Sequence, residues 1–271
     1  MKQALLSFLI AASLAGFASR LGRNDEKNKE AIMKQARSAY YNLPRLGVTG
    51  YRCEVVTDWR SILANLAGPE ALKNGRGLQV LESVHLWMTV DKSGDPKFTE
   101  RIDLASDDTT GREWVAKLLP KQKASLATTA HDLRRHLIVG FLPEPNENFT
   151  LEEKDGRYVI SIADGNSHAT LWMGRDFKAI EFTMKLPEGT VTINPEYIET
   201  PQGFLRTRQR IETHTNPHDS GTDSEVLEYS DVGGVKIPTK ITSVVTLDRA
   251  PDNGPRQMIF EFKSCELQKA N

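Results

Sequence analysis

The sequence has few cysteines, few aromatic residues and almost no net charge. Of its 271 residues only 2 are cysteine and 7% are aromatic, and the formal net charge is −1. Two cysteines are too few for a disulfide-dense scaffold. The balanced charge of the whole chain gives no reason to expect binding to nucleic acid or to an anionic membrane surface. We therefore predict no nucleic-acid partner.

Long hydrophobic runs are scarce as well, and the longest lies at the N-terminus. After Lys2 the chain is apolar over residues 4–18, and no acidic residue precedes Asp25. This pattern is typical of a secretory signal peptide with cleavage near Ala18, and the run is shorter than the roughly 20 residues of a membrane-spanning helix. We predict a signal peptide over residues 1–18 and a mature protein that is periplasmic or secreted and does not span a membrane.

Motifs that carry catalytic or metal chemistry are also missing. The chain has no G-x-S-x-G turn, no phosphate-binding glycine loop and no cysteine with a placed histidine partner. His214 and His218 have a zinc-like spacing, but Pro217 between them predicts a loop, and no third ligand is nearby. We predict no enzymatic activity, no cofactor and no metal, and a hydrolase with an unrecognised site stays open as an alternative.

Helical patterns occupy the first half of the chain. An amphipathic stripe over residues 25–43 predicts a helix, and residues 107–142 predict two helices separated at Pro120. The first of these two carries the apolar residues Trp114, Val115, Leu118 and Leu119. Between the helical segments, the runs 80–90 and 97–104 predict two arms of a hairpin.

From Phe149 onward, apolar and polar residues alternate with period two between short turns. This pattern predicts a meandering antiparallel sheet with one apolar face that helices must cover. We predict an α+β fold in one domain over residues 19–271, in which a curved antiparallel sheet forms an incomplete β-barrel, a half-barrel, with helices packed on its concave face. The residues predicted to line that face are Ile160, Ile162, Leu171, Ile180, Phe182, Met184, Ile237, Ile241, Phe260 and Phe262.

Two further features depend on which side of a strand each side chain lies on. Cys53 shares a face with Val55, whereas Cys265 shares one with Lys263, so a disulfide between them requires a bulge; a bridge and two free thiols both stay open. Arginines alternate along another strand and predict a solvated outer face or, alternatively, a positive surface for a partner. They are Arg206, Arg208 and Arg210.

Two stretches resemble a known family. The segment Tyr229-Ser-Asp-Val-Gly-Gly-Val-Lys-Ile-Pro-Thr-Lys-Ile241 is similar to the closing strands of the LolA/LolB-like outer-membrane lipoprotein-sorting superfamily. The segment Leu171-Trp-Met-Gly-Arg-Asp-Phe-Lys-Ala-Ile-Glu-Phe182 is similar to its central hairpin. The resemblance implies an incomplete antiparallel barrel closed by helices, and it implies carriage of lipid or lipoprotein acyl chains.

The leading hypothesis is therefore an exported, non-enzymatic carrier or binding protein for a lipid-like or acylated ligand. Such ligands are recognised by buried apolar area and shape, which the alternating strands can supply. An envelope scaffold that binds another envelope protein and has a filled core is the main alternative.

Overall fold

The computed structural model describes residues 23–67, 75–144, 147–165, 167–215, 220–248 and 254–270. The predicted signal peptide lies outside these residues. The helices are α1 Arg23–Ala39, α2 Trp59–Ala67, α3 Arg76–Glu82 and α4 Thr109–Arg134. The strands are β1 Val48–Thr57, β2 Val84–Asp91, β3 Lys97–Ile102, β4 Phe149–Lys154, β5 Arg157–Asp164, β6 Ser167–Met173, β7 Ala179–Leu186, β8 Gly189–Thr200, β9 Gly203–Thr215, β10 Gly221–Val232, β11 Val235–Leu247 and β12 Arg256–Lys269.

These 12 strands form one open sheet in the order β3-β2-β1-β12-β11-β10-β9-β8-β7-β6-β5-β4. From β4 to β9, consecutive strands pair antiparallel through short turns, as the alternating pattern predicts. The strands at the two edges of the sheet are β3 and β4. The prediction of a mostly antiparallel sheet with few helices is confirmed.

The described chain divides into two compact units. The first unit contains residues 23–41, Gly140–Ser224 and 246–248, and the second contains Asn42–Val139, Glu225–Val245 and 254–270. Strands of both units belong to the same sheet. The single domain over residues 19–271 stays a prediction.

In the first unit, α1 lies on the apolar face of the sheet. Met33, Ala36 and Tyr40, which follow one another at helical spacing, belong to a buried cluster with residues of β4, β5, β6 and β7. The Tyr40 hydroxyl donates to the Phe177 carbonyl and accepts from the Ala179 amide, both at 2.7 Å. These two bonds tie the C-terminal end of α1 to the start of β7.

In the second unit, α4 packs along β2. The larger buried residues of α4 recur every four or seven positions, so they form one face of the helix. They are Val115, Leu119, Leu126 and Leu133, and the sheet opposes them with Tyr51, Val55, Leu86, Met88 and Val90. Each such side chain contributes about 1.5–3 kcal/mol through burial.

Helix α4 is continuous, although the sequence predicts a break at Pro120. Proline has no N–H for the carbonyl of the residue four positions earlier, which here is Ala116. Both residues are exposed, so water can bind the carbonyl that lacks an intrahelical partner. Because Leu119 and Leu126 are buried on the other side, packing keeps the two halves in line, and the prediction of two helices is wrong.

The run 80–90 is also not extended throughout. Residues Arg76–Glu82 form α3, and only Val84–Asp91 form the strand β2. Three apolar residues of α3 are buried, namely Leu78, Val80 and Leu81. Their burial favours a short helix over the β-propensity of the valine, because tertiary packing overrides local preference.

A disulfide between Cys53 and Cys265 joins β1 to β12. Arg52 pairs with Glu266 and Glu54 pairs with Lys263, so β12 has one residue more than β1 between these pairs. Ser264 has a positive φ of 50° at this point. The bulge turns Cys265 to the side of the sheet on which Cys53 lies, and the bridged alternative of the sequence analysis is confirmed.

Candidate functional site

The residues predicted to line an apolar face fall into both units. The first unit contains Ile160, Ile162, Leu171, Ile180, Phe182 and Met184, and the second contains Ile237, Ile241, Phe260 and Phe262. All of those in the second unit are buried. In the first unit some are buried and others only half-buried, so the two groups differ in how completely they are covered.

The strand register of the first unit aligns apolar side chains in two rows across the sheet. Direct cross-strand partners lie on the same face, about 5 Å apart, and contact each other. The first row runs from β4 to β9 through Leu151, Ile160, Leu171, Phe182, Ile193 and Ile211. The second row runs from β4 to β8 through Phe149, Ile162, Ala169, Met184 and Val191.

Burial changes along the first row. Ile160 and Leu171, on β5 and β6, are buried in the cluster that contains the α1 residues. Phe182, Ile193 and Ile211, on β7 to β9, are only half-buried. The apolar face therefore continues beyond the part that is fully covered. We define Phe182, Val191, Ile193 and Ile211 as the apolar extension.

Ile180 does not belong to either row. Trp172 pairs with Glu181 and Met173 pairs with Ala179, so Ile180 is the extra residue of a β-bulge. Its side chain is 39% exposed. The prediction that Ile180 lines the apolar face is wrong, because a bulge reverses the alternation of faces that the sequence suggests.

The predicted residues of the second unit form part of a filled core. Ile241 pairs with Phe260, and Val55 pairs with both Phe262 and Leu86, so they form cross-strand rows like those of the first unit. Each of these side chains is buried. These rows are part of the core. Toward the edge strand β3, the buried Met88 pairs with Phe98, which is only half-buried.

One polar group in the interior of the second unit is unusual. Tyr51 is 1% exposed, and its hydroxyl makes no hydrogen bond among the described residues. Burial raises the pKa of this hydroxyl strongly, and Tyr229 and Asp132 raise the pKa further. Nothing in the alternation of apolar and polar residues along β1 indicates a hydroxyl without a partner.

The arginines of β9 do not share a face. Glu196 pairs with Arg208 and Tyr197 pairs with Arg206, so Thr207 is the extra residue of a bulge. Arg206 is buried and donates to the Gln209 side chain at 2.7 Å, whereas Arg208 and Arg210 are exposed. The prediction of one arginine face is wrong, and again a bulge is the reason.

A polar cluster on β1, β2 and β3 was not identified from the sequence. The His85 ring lies between two carboxylates, with Nδ1 at 3.1 Å from Glu54 and Nε2 at 3.2 Å from Asp103. Arg101 donates two hydrogen bonds to Asp103. Nothing marks these residues in the sequence, because Glu54, His85 and Asp103 lie on separate elements that only the sheet register brings together.

The part of the chain that the structure describes contains no group of three His, Cys, Asp or Glu side chains that could hold a metal ion. His214 is exposed on β9, and His218 lies outside the described residues. Among the described helices, none is long and apolar enough to span a membrane.

Comparisons with protein families, with curated proteins and with solved structures each found no match.

Proposed function

We propose that this protein is an exported, non-enzymatic carrier that binds a lipid or lipoprotein acyl chain on the apolar extension of its first unit. In this proposal the chain is a LolA/LolB-like protein, and its sheet curves into an incomplete barrel as the resemblance implies. The ligand lies on the half-buried part of the sheet face, next to the cluster that α1 buries, and covers the apolar side chains there.

The observation that carries the proposal is the change in burial along the first row. A face that serves only as core is covered along its whole length, but this one is covered at Leu171 and half-open at Ile193 and Ile211. Strands lie about 4.8 Å apart, so β7 to β9 offer an apolar strip roughly 10 Å wide. A hydrocarbon chain fits such a strip, since each buried CH₂ contributes about 0.8 kcal/mol without polar recognition.

The disulfide supports export. Disulfides form and persist in oxidising compartments and are rare where glutathione keeps thiols reduced. The Cys53–Cys265 bridge is consistent with the periplasmic or secreted location that the N-terminal pattern predicts.

Native mass spectrometry with lipid extraction tests this function. The mature protein is purified from a bacterial periplasm, and its intact mass is compared with the mass of the polypeptide. We expect a stoichiometric extra mass that extracts as lipid. Replacing Ile193→Asn places an amide in the apolar strip without a partner and should remove most of the bound lipid.

The matched control is Thr192→Asn. Thr192 is the neighbour of Ile193 on β8 and faces the opposite side of the sheet, where it pairs with Thr183 and Glu212. This variant should carry lipid like the wild type. A lipid-free wild-type protein that stays lipid-free after incubation with phospholipid would contradict the carrier function and favour the envelope scaffold. Equal lipid loading of both variants would contradict the site.

A further inference from the structure

The exposed side of α4 carries large apolar residues at helical spacing. Trp114 is 47% exposed and Leu118, one turn later, is 38% exposed. Their neighbours Val115 and Leu119 are buried. A single exposed apolar residue is ordinary. Two on adjacent turns of one helix form an exposed apolar patch, which is typical of an interaction site.

Two lysines complete this patch. Residues 114, 117, 118 and 121 follow the spacing i, i+3, i+4, i+7, which places them on one side of the helix. Lys117 and Lys121 are exposed, and in the described part of the chain neither forms an ion pair or hydrogen bond. We call Trp114, Lys117, Leu118 and Lys121 the α4 stripe.

The charge around the α4 stripe is positive. Arg112 is exposed at the start of the helix, where it donates to the carbonyls of Leu104 and Ala105. Glu113 and Asp107 are the exposed acidic residues at this end of the helix, and Asp108 is paired with Arg76. Arg112, Lys117 and Lys121 therefore outnumber the two exposed carboxylates. A balanced net charge of the whole chain is compatible with a local positive surface, because fields are screened beyond about 10 Å at ordinary ionic strength.

The helix presents this stripe rigidly. α4 has 26 residues, and its opposite face is fixed by the buried residues Val115, Leu119 and Leu126. One edge of the Trp114 ring lies against Gly77 of α3, close enough that a Cβ at that glycine would be 3.2 Å from it. The indole is therefore held on the surface by α3 and does not turn into the core.

We propose that the α4 stripe docks the protein onto an anionic phospholipid surface. Tryptophan is favoured at the headgroup level of a bilayer, where its ring is half in hydrocarbon and half in a polar layer. Leu118 enters the acyl boundary beside it, and the lysines lie against the phosphates. A protein partner with an acidic groove or a second copy of the chain would make the proposal wrong. The proposal does not rest on the carrier function, since a protein without bound lipid can also dock.

Vesicle flotation of the mature protein tests the docking. Vesicles of phosphatidylcholine with and without phosphatidylglycerol are compared at low and high salt. We expect flotation with the anionic vesicles and loss of flotation at high salt. Replacing Trp114→Ala should lower the apparent affinity at least about tenfold, and the double change Lys117→Gln and Lys121→Gln about twentyfold for anionic vesicles.

Matched variants separate the α4 stripe from general surface effects. Trp172→Ala removes a half-buried tryptophan on β6 whose ring lies 6.0 Å from Lys154, and Ile198→Ala removes an apolar side chain that is 48% exposed on β8. Both should float like the wild type. The blue shift of tryptophan emission on vesicle addition should disappear only in Trp114→Ala.

Three results overturn the proposal. The first is a wild-type protein that does not float with anionic vesicles. The second is a Trp114→Ala variant that floats as well as the wild type. The third is self-association through the α4 stripe, seen as a dimer in sedimentation that Trp114→Ala converts to a monomer while vesicle binding is absent. A lipid-free but floating protein would instead uphold docking and contradict only the carrier function.

Discussion

The two units use the same construction, a helix laid on an antiparallel sheet, and differ in how much of the sheet is covered. In the second unit α4 runs over 26 residues, and the central row of Val55 with Leu86 and Phe262 is buried. In the first unit α1 covers the rows at β5 and β6, and they stay half-buried from β7 to β9. Fully buried apolar rows stabilise the folded protein. A half-buried apolar face contributes less to stability and leaves apolar area that a ligand can cover.

The largest change in the free energy of unfolding should come from loss of the disulfide. It should affect the second unit first, because both cysteines lie there. The bridged cysteines are 212 residues apart in the chain, and for a loop of this length the chain-entropy model gives a stabilisation of about 5 kcal/mol. Changing Cys53→Ala together with Cys265→Ala should lower the free energy of unfolding by about that amount in urea titration. Hydrogen exchange should then show the loss of protection at β1 and β12.

Reduction of the wild-type protein without mutation is the control for this prediction. It should reproduce the loss of stability without removing the buried volume of the Cys53 side chain. If both proteins unfold at the same urea concentration as the oxidised wild type, the bridge does not stabilise the second unit.

Truncation of apolar side chains should distinguish the filled core from the half-open face. Leu133→Ala, on the buried face of α4, leaves a cavity and should cost about 3 kcal/mol. Ile193→Ala, in the apolar extension, should cost only about 1 kcal/mol, because the side chain is already partly exposed. Thermal unfolding of both variants measures the difference. Equal losses would mean that the first unit is as well filled as the second.

The last comparison concerns two buried tyrosines, one in each unit. Tyr40→Phe removes both bonds to β7 and leaves the Ala179 amide without its acceptor, so it should cost about 2 kcal/mol. Tyr51→Phe removes a hydroxyl that has no partner among the described residues and should leave stability unchanged or raise it by up to about 1 kcal/mol. Urea titration compares them. A large loss in Tyr51→Phe would indicate a hydrogen-bonded water or ligand at that hydroxyl.

Much of the fold was predictable from local pattern. Period-two alternation identified the strands after Phe149, and helical spacing identified α1, because side-chain direction follows backbone geometry directly. Most predicted lining residues, including Ile160, Leu171 and Ile237, are buried. The errors at Ile180 and Arg206 and the open question at Cys265 share one cause: each lies at or next to a β-bulge. Bulges are set by pairing between strands, which one strand's sequence does not show.

The sequence by itself determined most of the strands and helices, because local pattern depends on neighbours in the chain; the continuity of α4 through Pro120 and the helix α3 were exceptions. Only the tertiary structure decided which apolar side chains are covered. It left Trp114 and Leu118 exposed while it buried Val115 and Leu119, and it covered Leu171 fully but Ile193 only in part. Coverage depends on where a distant element such as α1 or α3 packs, and the free energy of that packing comes from contacts between residues far apart in the chain.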